Sequence, residues 1–477
     1  VRPTYGRDEP LPRGHQLEAI RRGWKWFDGS KMLVRSADAE GGTPPDGSLG
    51  SMEAVLSSIR HDGSQTISSA LRGDCITETA MAYAFAARVL HQDADAEIAR
   101  NLVDFYLFES PAQKKERGDP NHSAYGLIAW GISSDAWYIA NYGDDNARLM
   151  LAVLATAALT GDDRWDEAMM KCLLANLRTT GRYGFRGSRI NLAELDKRPW
   201  QSYFTGDVVS RRPHFECYLW ACYLWAYEQT GWPLFLERAE TGLKMTMDEY
   251  PDGWRWTNGL AQEKARMLLP LAWLVRVKDT PANRAMLRRA FDGVLALQQP
   301  CGAIREELGK REMGSYPPPK DNASYGTNEA SLIAENGDPV TDLLYTTNFA
   351  FLGLREAAAA TGDRDIIEAE NRLAEFLCRI QASSETLSQV DGGWFRAFDF
   401  NRWEHWGSNA DAGWGAWSIE SGWTQGWIVA VLAMREMDTS LWDLTKESRI
   451  ERHFARLRAE MIPDDAVESL APRAASE

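Results

Sequence analysis

The sequence predicts an all-α protein, an (α/α)6 barrel of six helical hairpins with long loops at one end. Three observations predict it. Six stretches begin polar, turn apolar and stop at a tight turn. Each is followed by a segment with apolar residues at i, i+3 and i+4 spacing and charges on its other face. Between hairpins the chain runs through long polar connections rich in Trp and Gly.

The clearest inner stretch is YGDDNARLMLAVLATAALTGD, residues 142–162. Its head carries two carboxylates, an Asn and an Arg, and the rest is apolar on every side. A helix apolar all round is a buried helix. Asp144, Asp145, Asn146 and Arg148 therefore stand at the mouth of a helix that runs through the interior, where polar groups need partners. The same design recurs in GDCITETAMAYAFAARVLHQDAD (73–95), RRPHFECYLWACYLWAYEQTGW (211–232), LAQEKARMLLPLAWLVRVKDTP (260–281), TDLLYTTNFAFLGLREAAAATGD (341–363) and ESGWTQGWIVAVLAMREMDTS (420–440).

The segments that follow the turns read as surface helices: DAEIARNLVDFYLF, RWDEAMMKCLLANL, PLFLERAETGLKMTM, ANRAMLRRAFDGVLAL, RDIIEAENRLAEFLCRI and LTKESRIERHFARLRAEM. HQLEAIRRGWKWFDGSKML, from His15, reads as a first surface helix ahead of them all. One barrel domain over residues 1–477 is expected, with an irregular start at 1–14 and a tail from about residue 463.

Composition narrows the class. A net charge of −15 argues against nucleic acid and anionic membrane surfaces as partners. No apolar run reaches the roughly 18 residues that span a bilayer. No signal-peptide pattern is visible, so a cytoplasmic or periplasmic location is expected. The six Cys lack CxxC spacing and sit mostly in helix patterns, as buried free thiols do. No HExxH or paired-Cys spacing calls for a metal, and no GxGxxG follows a strand, so neither metal nor cofactor is expected.

Topology locates the site. Short turns close one end of the barrel; the long loops and the N-termini of the buried helices share the other. Those N-termini carry free N–H donors and partial positive charge. The loops there bring Trp130, Trp137, Trp200, Trp254, Trp256, Trp394, Trp414 and Trp423 among others. Aromatic faces beside carboxylates suit a sugar ring, with its apolar C–H faces and its belt of hydroxyls. The candidate chemistry is carboxylate chemistry. Asp74 and Glu78 lie one helical turn apart on one face. Asp144 and Asp145 head the next inner helix, and Glu216, Glu263, Glu329, Asp342 and Glu420 lie near other inner N-termini. Each also fits a helix cap or an Arg partner: Asp144 is placed to cap, and Arg72 and Arg148 are natural partners for Asp74 and Asp145. Those Arg could equally hold a substrate carboxylate in a two-pronged contact.

The segments DGSLGSMEAV, RGDCITETAMAYAFA, YGDDNARLMLAVLATAALTGDDRW and DGGWFR resemble the six-hairpin glycosidase superfamily, over roughly residues 47–437. Within it the chain is similar to glycoside hydrolase family 154, associated with β-glucuronidase activity. The resemblance implies an exo-acting glycosidase that removes a terminal uronic acid from a glycan. Unsaturated glucuronyl hydrolases, in which an Asp protonates a substrate double bond, share the barrel. A polysaccharide lyase, a sugar epimerase with a His pair and a non-catalytic carbohydrate-binding protein are the rival classes.

On this reading Glu78, buried among Ala, Met and Tyr, is the general acid. Asp145, at an N-terminus near Arg148, stays ionised as base or nucleophile, with Asp74 and Asp144 as substitutes. Arg72, Arg148 and His214 hold the sugar's carboxylate or hydroxyls. Trp254, Trp394 and Trp423 wall the sugar, with Asp342 and Gln425 as further binding residues.

Overall fold

In the computed structural model, which describes residues 1–36, 44–407 and 414–470, the chain is organised by thirteen substantial helices. They are α1 (His15–Gly29), α2 (Gly73–Leu90), α3 (Asp93–Asp104), α4 (Gly143–Thr160), α5 (Asp166–Arg178), α6 (Pro213–Thr230) and α7 (Pro233–Asp248). There follow α8 (Leu260–Val277), α9 (Pro281–Leu295), α10 (Asn348–Thr361), α11 (Arg364–Ile380), α12 (Trp427–Glu436) and α13 (Phe454–Met461).

The apolar stretches form the inner ring. α2, α4, α6, α8, α10 and α12 pack each against the next, and α12 closes the ring on α2. Nearly every residue ahead of the last turn of these helices is buried, glycines and carboxylates included. Positive-φ residues end four of them at the expected turns: His91, Gly161, Gly231 and Gly362. A left-handed cap lets the chain reverse at once into the outer helix.

The outer layer follows the sequence except at its ends. α3, α5, α7, α9 and α11 each pack on the inner helix before them, but the outer partner of α12 is α1. The C-terminal segment expected as the sixth surface helix is broken. It runs as Leu441–Thr445, a 3-10 turn at Ile450–His453 and the short α13, which packs on α5; the described chain continues through a helix at Asp464–Glu468. The reason is a buried carboxylate at the short-turn end. Glu356 of α10 accepts hydrogen bonds from the Leu441 N–H (2.6 Å), the Trp442 N–H (3.3 Å) and the Trp273 indole (2.8 Å). Trp225 of α6 donates to Thr445 at 3.1 Å. The segment thus crosses the floor of the barrel while α1 fills the outer gap.

At the open end, short ladders stitch neighbouring loops together. Ala54–Ile59 pairs with Gln65–Ser68 and with Ile419–Glu420. Ala140–Tyr142 pairs with Arg189–Asn191, and Val340–Asp342 with Ala397–Asp399. Three of these strands end where an inner helix begins, so they fix Tyr142, Asp342 and Glu420 at the mouth. α10 and α12 are entered through wider π turns, Leu343–Thr347 and Ser421–Gly426, a local geometry frequent at functional sites. The second depends on Gly422, where a Cβ would lie 2.3 Å from Glu78 Oε2 and 2.9 Å from the Cys75 backbone.

None of the six Cys is in a disulfide, and five are buried. Among the described residues no helix is long and apolar enough to cross a membrane.

Candidate active site

A cavity of about 250 Å³ opens at the loop end. Four carboxyls line it, Asp144, Asp145, Glu329 and Glu420, with Arg72 and His214 as the basic groups. Its aromatic wall is Trp130, Tyr142, Phe215, Tyr316, Tyr345, Trp414 and Trp423.

Behind the wall two guanidiniums organise the carboxyls of α2 and α4. Arg72 Nη1 lies 3.0 Å from Glu53, and its Nη2 lies 2.8 Å from Asp74 and 2.9 Å from Asp145. Arg148 Nη1 lies 2.8 Å from Glu78, and its Nη2 lies 2.8 Å from Asp74 and 3.1 Å from Asp145. The expected Arg72–Asp74 and Arg148–Asp145 pairs are both present, crosslinked into one network. Trp423 covers it: its indole donates to Asp74 at 2.8 Å and its ring stacks 3.9 Å from the Arg148 guanidinium.

Carboxyls outnumber these cations, so they do not share one charge state. Burial opposes ionisation of Asp74, but Arg72 and then Arg148 override it and hold the group below the usual carboxylate range. Asp145 is hydrogen-bonded to Asp74. Burial, then the neighbouring Asp144 and Asp74, push Asp145 well up, against Arg148 and Arg72. The expectation that Asp145 stays ionised is reversed: burial and the neighbouring Asp144 and Asp74 outweigh Arg148 and Arg72, which other carboxyls share, a competition that spacing on one helix does not reveal. Burial also raises Glu78, to about 7, as expected of a carboxyl one turn inside.

Asp144 differs from the other acids of the set. It is not the helix cap, because the α4 N-cap is Tyr142. Its Oδ1 is buried with no hydrogen-bond partner. Its Oδ2 lies 3.6 Å from His214 Nε2 and 3.9 Å from both Arg148 and Arg266. Burial raises its pKa, with Arg148 and Arg266 pulling the other way. A buried carboxylate oxygen without a partner is costly, and Asp144 is also one of the residues that line the cavity.

His214 is fixed as a neutral ring. The Asn258 N–H donates to Gln262 Oε1 at 3.1 Å, so the Gln262 amide N–H₂ is turned toward His214 Nδ1. The ring proton is then on Nε2, facing Asp144. Burial, then Arg266 and Arg148, hold the imidazole well below its usual pKa. Its backbone N–H donates to Glu263 at 2.6 Å, and the Thr257 N–H donates to the same carboxyl at 2.9 Å. Glu216 likewise accepts from the Arg186 and Gly187 N–H groups at 3.0 and 2.8 Å. These inner-helix carboxyls tie down loops and do not line the cavity.

The site thus gathers Asp74, Glu78, Asp144, Asp145, Arg72, Arg148, His214 and Trp423 from the sequence-stated candidates, though Asp74, Glu78 and Arg148 lie beneath the wall. Glu78 is under Arg148 and accepts from the Trp427 indole at 2.7 Å. Trp254, Trp394 and Gln425 are elsewhere, because their polar atoms already hold backbone: Trp254 donates to Thr246 O (2.8 Å), Trp394 to Leu377 O (2.9 Å) and Gln425 to Gly23 O (2.8 Å). Asp342 also stands behind the wall, where it accepts from the Leu344 and Tyr345 N–H groups at 2.9 Å and pairs with Arg396 at 3.1 Å.

Sequence reasoning missed Arg266, Tyr142, Phe215, Tyr316 and Tyr345. Arg266 repeats on α8 the pattern of Arg148 on α4, an Arg one turn inside an apolar helix behind an acid, and that signal was available. The four aromatics follow no common spacing: Phe215 comes from the first turn of α6, Tyr345 from the π turn ahead of α10, Tyr142 from the end of a strand and Tyr316 from a loop.

The architecture is now decided. The chain folds as an (α/α)6 barrel of six helical hairpins. Solved six-hairpin barrels similar to it include a D-mannose isomerase (14% identical, TM-score 0.56, covering 89% of this chain and 99% of that one). A sugar epimerase from a ruminal bacterium is 13% identical, TM-score 0.55, over 89% of this chain and 97% of that one. An unsaturated glucuronyl hydrolase from Bacillus sp. GL1 is 13% identical, TM-score 0.54, over 90% of this chain and 98% of that one. At these identities the likeness is one of barrel. No protein-family model and no curated protein sequence matches the chain.

Proposed function

We propose that the protein is an exo-acting glycoside hydrolase that removes a terminal uronic acid, of the β-glucuronide type, from a glycan. The observation that carries the reading is the pair at the cavity wall: Asp145, a carboxyl kept protonated against the charge of Asp74, beside Asp144, whose Oδ1 has no partner. Glycoside hydrolysis needs one protonated and one ionised carboxyl at the bond. Asp145 donates its proton to the glycosidic oxygen as the bond to the anomeric carbon breaks. Asp144, raised less far and facing three cationic or N–H-bearing side chains, accepts a proton from the water that attacks that carbon. Asp145 replaces Glu78 as acid on this reading, since Glu78 does not reach the cavity.

A uronic acid is favoured by charge. Arg72 lines the cavity and Arg148 and Arg266 stand behind its wall, while burial keeps Asp145, Glu78, Asp144 and Glu420 raised. Raised carboxyls offset these guanidiniums less as pH falls, which suits a bound anion. Arg72 is the one of the three that lines the cavity. A His pair, as an epimerase would use, is not supported: His214 is the one histidine among the described lining residues.

The second reading is hydration of an unsaturated uronide, as the name of the glucuronyl hydrolase suggests for that protein. It needs the same proton from Asp145. A panel of aryl β-glucuronide, aryl β-glucoside and an unsaturated disaccharide separates the two. Aryl alcohol release from the glucuronide is expected, and in Asp145→Asn it should fall furthest for the aryl groups that leave least readily. Turnover of the unsaturated disaccharide alone would replace hydrolysis by hydration, and binding without turnover would overturn both.

A further inference from the structure

A second cavity, of about 490 Å³, is lined by Val209, Ser210, Arg211, Arg212, Arg255 and Met313. It adjoins the candidate active site through the chain itself. Arg212 comes two residues before His214, Arg255 two before Thr257 and Met313 three before Tyr316, and all three successors line the first cavity.

Its charge is unusual for this protein. The chain has 68 acidic and 53 basic residues, so most Arg could find a carboxylate. Arg211 does, at 3.2 Å from Glu249, though its buried Nε has no partner. Arg212 and Arg255 make no ion pair and no side-chain hydrogen bond among the described residues. Both line the same cavity, and burial and then the charge of Arg255 make Arg212 easier to deprotonate, with Glu263 pulling the other way. The backbone holds them there, with the Arg255 N–H donating to Arg211 O at 2.9 Å. Like charges kept together beside a cavity cost stability, and a bound anion would offset that cost.

We propose that Arg212 and Arg255, with Arg211 at their edge, form an anion subsite for a carboxylate or sulfate ester on the sugar next to the one in the main cavity. The guanidinium fork matches the geometry of either group, with paired N–H donors meeting two oxygens. The inference rests on the glycosidase reading for the meaning of "next sugar", and makes the enzyme selective for an acidic or sulfated glycan chain. Because the subsite is open to solvent, its contribution should weaken with salt.

Three disaccharides with the same terminal uronic acid test it, the second sugar being neutral, a uronate or sulfated. The full-length protein should show higher kcat/KM on at least one anionic disaccharide than on the neutral one; which one identifies the group received. In Arg212→Gln/Arg255→Gln that preference should fall about tenfold or more. Arg255→Gln alone, whose side chain is exposed and whose folding is the safer, should lower it in the same direction. A preference equal in native protein and both variants overturns the subsite. If no disaccharide is cleaved, the glycosidase reading fails, and calorimetric titration with the sulfated and the uronate disaccharide, each against the neutral one, decides the subsite separately. Binding weakened by the substitutions and by salt supports it, and binding that is absent or indifferent to both overturns it.

Discussion

Arg148 on α4 reaches to Asp74 on the neighbouring α2, Nη2 to Oδ2 2.8 Å, with both side chains fully buried. The pair holds two inner helices together and fixes which carboxyl of the cluster is charged. Asp74→Ala should therefore destabilise by about 3–5 kcal/mol, because it leaves buried guanidinium charge uncompensated. A lowered denaturant midpoint would check it. Asp74→Asn should also move Asp145 toward an ordinary pKa, since a like charge beside it is gone. The alkaline limb of the pH–rate profile should then shift to lower pH; an unmoved limb would dissociate Asp74 from the acid.

Asp145→Asn should lower kcat by about 10²–10⁴-fold on glycosides with poor leaving groups. On activated aryl glycosides the loss should be smaller, because little protonation is needed. Glu78→Gln should leave this leaving-group dependence in place, as Glu78 lies under Arg148 away from the cavity. The reverse pattern in the two variants would restore Glu78 as the acid.

Uronate selectivity should depend on pH. Glu78 is raised to about 7, and Asp145 and Asp144 are also raised, so these groups gain negative charge as pH climbs. KM for a glucuronide should then rise between about pH 6 and 8 more steeply than KM for the matching glucoside. Parallel curves would show that the cluster's charge is not felt by the substrate.

Fold stability should fall toward alkaline pH. Burial raises Glu216 and Glu263 to about 7, and burial with Asp342 raises Glu306 to about 8, from an ordinary 4.5. A carboxyl whose folded pKa is raised contributes fully below its unfolded pKa, and the contribution is lost as pH rises through the folded value. Each such group costs about 1.4 kcal/mol per pH unit across its window. The melting temperature should drop from pH 5 to 8; a rise over that interval would contradict these pKa directions.

At the other end of the barrel, Glu356→Ala should cost about 1–3 kcal/mol and leave catalysis unchanged. It strands the N–H groups of Leu441, Trp442 and Trp273 without an acceptor. Faster proteolysis within residues 438–448, with kcat/KM preserved, is the expected signature.

The sequence by itself determined the barrel. An inner helix must be apolar on every side and an outer one on a single face, and that difference is written locally in the order of residues, as in 143–160 against 166–178. It likewise located the acids and Arg at the inner N-termini, because polar residues at the head of a buried helix have few other uses. Tertiary structure decided what no spacing encodes. It made α1 rather than the C-terminal segment the outer partner of α12, since Glu356 holds that segment to the floor. It set Trp254, Trp394 and Gln425 to hold backbone carbonyls, and brought Tyr345 and Phe215 to the wall. It also divided one cluster of acids into charged Asp74 and raised Asp145, because a buried carboxyl's charge depends on the sum of its neighbours across helices and not on its own segment.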